Sequence, residues 1–109
     1  MSTRCTTHFK GAWGTEAIIY KHCDGYPDGD NGMKRTLERF FEAVEDTWPD
    51  SRYGDPSYLA ARFVRFLSLD SDDGLGVGIT REDPADIEYR YVLECTDDSV
   101  RPRVEVQNP

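Results

Sequence analysis

Apolar positions change period twice along this chain. From Thr3 to Lys10 they alternate, with Cys5, Thr7 and Phe9 on one side and Arg4, Thr6 and His8 on the other. Glu16 to His22 repeats the pattern, centred on Ala17-Ile18-Ile19-Tyr20. A two-residue period marks a half-buried strand. The short link Gly11-Ala12-Trp13-Gly14 predicts that these two strands form a hairpin. Asp24 to Gly32 holds three glycines and a proline in nine residues and predicts an irregular turn.

From Met33 the period becomes helical. Met33, Leu37, Phe40, Phe41, Val44 and Trp48 make one apolar face of a helix ending near Thr47. Asp30 or Asn31 is expected to cap it, and Pro49 stops it. Asp55-Pro56 opens a second helix, with Asp as cap and Pro at the first helical position, which continues through Leu67. After a polar loop from Ser68 to Gly74, Leu75, Val77 and Ile79 alternate with Gly74, Gly76 and Gly78. This predicts a strand with one bare face, suited to close packing by a helix. Arg81 to Asp86 is a loop. Glu88 to Cys95 is a strong strand, and Arg103 to Gln107 a last one with Val104 and Val106 inward.

The order is ββααβββ. Short connections favour antiparallel pairing, because parallel neighbours need a long crossover. The expected fold is a single α+β domain: an antiparallel sheet of about five strands with two helices on one face. A chain of 109 residues fits one such domain. The 12% of aromatic residues supplies a core and argues against disorder.

Charge adds a functional constraint. The chain carries 21 acids against 13 bases, a net charge of −8. That balance disfavours direct binding to nucleic acid or to an anionic membrane; it serves solubility or favours a basic partner. Ten acids and two bases lie between Asp70 and Asp98, so this segment holds the whole excess. Asp70, Asp72, Asp73, Glu82, Asp83, Asp86, Glu88, Asp97 and Asp98 are the candidate partner-binding residues. Gathered on one side, they stand in for a row of phosphates toward an Arg- and Lys-lined groove.

Other chemistry is thinner. Asp24 to Gly32 fails the calcium-loop spacing, since its twelfth position from Asp24 is Arg35. Cys5, His8, His22 and Cys23 match no compact zinc pattern, and nothing visibly activates a cysteine as nucleophile. No metal, cofactor or catalytic residue is assigned. An alternative ligand set joins Arg4, Lys21, His22 and Arg90 to the rings of Tyr26 and Tyr91, as a sponge for a nucleotide signal would. Three cysteines make no disulfide framework. The polar start of the chain does not read as a signal peptide, and no apolar run reaches the ~20 residues needed to span a bilayer. A bacterial or archaeal cytoplasm is the expected compartment.

Ser2-Thr3-Arg4-Cys5, Ile19-Tyr20-Lys21-His22 and Asp24-Gly25-Tyr26-Pro27 together resemble a group of small phage and prophage proteins with an STRC start and a YRHxDGYP-like segment. Asp55-Pro56-Ser57-Tyr58-Leu59-Ala60-Ala61 and Asp86-Ile87-Glu88-Tyr89-Arg90-Tyr91 extend the likeness over most of the chain. The resemblance implies origin on a mobile element and attaches no activity. With the charge, it leads to a non-enzymatic inhibitor of a host defence machine, of the anti-CRISPR kind. The partner expected is a basic host protein or complex, blocked by an acidic surface that competes with nucleic acid. The nucleotide sponge is the alternative, and a small enzyme comes last.

Overall fold

The computed structural model describes residues 3–70 and 76–109. Its elements are β1 (Cys5–Gly11), β2 (Gly14–Lys21), α1 (Met33–Thr47), α2 (Pro56–Asp70), β3 (Val77–Thr80), β4 (Tyr89–Glu94) and β5 (Arg103–Gln107). No helix is long and apolar enough to cross a membrane among the described residues.

The five strands make one sheet in the order β3-β2-β1-β4-β5. β1–β2, β2–β3 and β4–β5 pair antiparallel, but β1 and β4 at the centre are parallel. The sheet is therefore mixed, which corrects the expectation of an all-antiparallel one. Short connections constrain only strands that are neighbours in both sequence and space. β1 and β4 are far apart in sequence, so no tight turn dictates their direction.

Register divides the side chains cleanly. Thr7 pairs with Ile19 and Tyr91, and Phe9 with Ala17 and Leu93, so these face the helices. Thr6 pairs with Tyr20 and Arg90, and His8 with Ile18 and Val92, so these face the opposite side. The helical side is a closed apolar core. Phe63 of α2 meets Phe9 of β1 at 5.6 Å between ring centroids and Phe40 of α1 at 5.0 Å, tying the three elements together. Tyr53, between the helices, is also buried; its hydroxyl lies 2.6 Å from Glu45 Oε2, and Arg101 donates to both oxygens of that carboxylate at 2.6 and 2.8 Å.

Two local expectations change. Neither Asp30 nor Asn31 caps α1. Its N-cap is Gly32, and the first free amides, of Met33 and Lys34, donate to the carbonyls of Tyr26 and Pro27. The loop's own backbone does the capping. Gly32 is required there because a Cβ would collide with the carbonyls of Pro27 and Asp28. Nor do the described glycines of the 74–78 run receive a helix. Gly76 lies against His22, whose Cβ is 3.2 Å from where a Gly76 Cβ would sit, and Gly78 has open space. Gly74 and Leu75 lie outside the described residues. The Asp55 cap of α2 forms as expected, with Oδ1 accepting from the Tyr58 amide at 3.2 Å.

Candidate functional site

The topology dictates an unusual connection. β3 and β4 are separated by β2 and β1, and the helices fill one face of the sheet. Residues 81–88 must therefore cross the other face. Asp83 fixes the crossing. Its Oδ1 accepts from Thr6 Oγ1 at 2.6 Å and from His8 Nε2 at 2.8 Å, and its Oδ2 accepts from Arg90 Nε at 2.6 Å. Arg90 Nη1 continues the network to Gln107 Oε1 at 2.8 Å. Farther along, the Glu88 amide donates to the Arg4 carbonyl.

Burial works to raise the Asp83 pKa, but the hydrogen bonds from Thr6, His8 and Arg90 outweigh it and hold the carboxyl below its ordinary value. Glu45 is lowered to about 2 by its hydrogen bonds from Arg101 and Tyr53. Both folded values lie below the unfolded ones. Their contribution to stability is therefore complete above an unfolded pKa of about 4 and is lost as pH falls through the folded values. The urea midpoint is expected to hold from neutral pH to about pH 5 and to drop below about pH 4. A midpoint already falling between pH 7 and 6 would contradict this assignment to carboxylates.

The acids of the expected surface that lie among the described residues are spread over two ends of the sheet. Glu82, Asp86 and Glu88 are exposed on the crossing loop, with Asp86 3.3 Å from Arg4 Nε. Asp83 faces inward and is held by the chain's own arginine and histidine. Asp97 and Asp98 follow the other end of β4, roughly 20 Å away for six residues at ~3.3 Å each. There they organise loops: Asp97 Oδ1 accepts from the amide and hydroxyl of Ser99, and Asp98 Oδ1 from the Gly54 amide. Asp72, Asp73 and the side chain of Asp70 lie outside the described residues.

The alternative ligand set is divided between the faces of the sheet. Arg4 and His22 do meet: Nε and Nδ1 are 3.3 Å apart, and the Tyr20 hydroxyl is 3.2 Å from the same nitrogen. Arg90 is held in the Asp83 network. Lys21 is buried on the helical side, its ammonium donating to the Cys23 carbonyl at 2.6 Å. Tyr91 is fully buried and donates to the Gly25 carbonyl, so its ring has no free face for a ligand. Tyr26 turns its hydroxyl to Asp24 at 3.3 Å.

No group of three or more His, Cys, Asp or Glu side chains is placed to hold a metal among the described residues. Burial pushes the thiols of Cys5 and Cys95 up to about 12. Since the thiolate is the reactive form, a native sample is expected to react with a disulfide reagent at the half-buried Cys23 alone, and at all three cysteines after unfolding. Rapid native labelling of Cys5 or Cys95 would contradict their burial.

The outer face of the helical layer carries a surface that the sequence reading passed over. Arg62 of α2 lies over the rings of Trp48, at 4.3 Å from the centroid, and Tyr58, at 5.1 Å. Arg52 covers Tyr58 at 4.6 Å. Beside this ladder a groove of about 240 Å³ runs between α1 and α2, lined by Phe40, Trp48, Phe66 and Leu69 with Arg62 and Arg65. Arg62 donates to the Ser51 carbonyl at 2.7 Å. Neither Arg62 nor Arg65 has a carboxylate within ion-pair distance among the described residues. The signal was present as spacing: Tyr58, Arg62, Arg65 and Leu69 share the face of α2 opposite its core residues Leu59, Phe63 and Leu67.

Comparison with family models, with curated proteins and with solved structures finds no match for this chain.

Proposed function

We propose that the chain is a non-catalytic binding protein whose macromolecular partner docks on the outer face of the helical layer. The observation that carries this is the Arg52–Tyr58–Arg62–Trp48 ladder beside an apolar groove. Tryptophan, tyrosine and arginine are the residues on which interface energy concentrates. Stacking pre-orders the long Arg62 side chain, which lowers the entropy lost on binding. Residues 56–69 contain two arginines and no acid, in a chain of net charge −8. The groove therefore fits an apolar segment that also carries carboxylates. The groups best able to do chemistry are engaged in holding the fold: Asp83 by three donors, Lys21 by a carbonyl, and two thiols by burial.

The acidic inhibitor that displaces nucleic acid from a basic host machine is the second reading. Glu82, Asp86 and Glu88 support it, exposed on a loop that the Asp83 network holds in place. Phage origin and the anti-defence role rest on the sequence resemblance.

Capture from a bacterial lysate at low and high salt separates the two readings. The helical-face variant combines Tyr58→Ala, Arg65→Glu and Leu69→Asp; the loop variant combines Glu82→Gln, Asp86→Asn and Glu88→Gln. The first reading expects the helical-face variant to lose the partner and the loop variant to keep it. The reverse, with binding that weakens steeply in salt, would establish the acidic reading and refute the first.

A further inference from the structure

β5 lies at an edge of the sheet, and its outer side has no strand partner among the described residues. Its register with β4 runs unbroken from Arg90↔Gln107 to Glu94↔Arg103, with no bulge to twist the edge away. Proteins keep such edges from pairing by short strands, bulges, prolines or charged side chains. The charges on β5 are of opposite sign and two residues apart, so a second copy can match them. Arg103 and Glu105 are both exposed and share the face turned away from the helices. On the other face, Val104 and Val106 border a groove of about 380 Å³ between β5 and α1, which includes Leu37, Phe41 and Pro102. Val106 is 37% exposed there.

That arrangement is self-complementary. When two copies of β5 pair antiparallel about a two-fold axis at Val104, Arg103 stands opposite the partner's Glu105, and Glu105 opposite the partner's Arg103. The valine side of each strand then lies beside the other copy's groove. The competing register, centred on Glu105, sets two carboxylates against each other, which is unfavourable. We infer that the chain associates with a second copy of itself along β5, in the register centred on Val104, to make a continuous sheet across the pair. A two-fold contact of this kind closes on itself and needs no other partner. It lies on a different face from the helical groove and stands or falls independently of the proposed function.

Sedimentation velocity over a range of concentrations tests this on the full chain, using the parent, Arg103→Glu, Glu105→Arg and the double exchange. The parent is expected to show a concentration-dependent dimer. Each single reversal turns both cross-strand pairs into like-charge pairs and is expected to raise the dissociation constant by roughly tenfold. The double exchange restores opposite charges and is expected to restore the dimer. Circular dichroism verifies that every variant keeps the parent fold, and rescue by the double exchange separates the interface from damage to the strand. A parent that stays monomeric at every concentration overturns the inference. So does a dimer that the single reversals leave intact, or one that the double exchange fails to recover.

Discussion

Phe63→Ala is expected to cost about 3–5 kcal/mol of stability, the usual range for deleting a buried phenylalanine. Phe63 is 1% exposed and is the ring where sheet and helices meet, between Phe9 and Phe40. Alanine there removes the apolar transfer energy and both ring contacts, and leaves a cavity that rigid neighbours cannot close. A domain of this size has a total stability of roughly 5–15 kcal/mol. The variant is therefore expected to be partly unfolded, or to melt far below the parent. Urea unfolding followed by circular dichroism reads the difference directly. A midpoint within error of the parent's would show that the three-way aromatic junction does not hold the layers together.

Asp83→Ala is expected to cost about 2–3 kcal/mol and to loosen the crossing loop. The side chain is 16% exposed and holds Thr6, His8 and Arg90 at once. Its loss strands three donors, one of them the cationic Arg90. The estimate is kept below the range for breaking a fully buried pair because the side chain of Arg90 is 29% exposed and water screens it. Asp83→Asn keeps the shape but turns an amide N–H toward a donor, so it is expected to fall between parent and alanine. Hydrogen exchange at Glu88, whose amide donates to Arg4, is the local readout. Faster exchange there, with the β1–β2 amides unchanged, is the predicted pattern. Unaltered exchange at Glu88 would mean that the loop is held by something other than Asp83.

The elements were legible because each is locally consistent. Pro49 and Asp55-Pro56 punctuate the helices, and the switch from a two-residue to a helical period at Met33 coincides with the start of α1. Strand order was not legible. Nothing local to β1 or β4 says that Thr7 will lie beside Tyr91, so the parallel centre of the sheet could not be read from connection lengths. The acids show the same gap at the level of the site. Asp83 and Asp86 are three residues apart and equally polar in sequence, yet one is inside a five-residue network and the other is exposed beside Arg4. Which acid turns inward depends on the loop crossing β1, a tertiary event. Tyr91 shows the same gap: an aromatic in a central strand next to an arginine resembles a ligand platform in sequence, but the helical layer covers it. The Arg62 surface was open to prediction, since Tyr58, Arg62, Arg65 and Leu69 recur at helical spacing.

A partner docked on the helical layer must shield that layer, and hydrogen exchange on the captured complex shows where the shielding falls. The predicted result is slowed exchange in residues 43–48 and 58–69, with residues 82–88 exchanging as in the free chain. Protection confined to residues 82–88, with the Trp48–Arg62 region unchanged, would contradict the account.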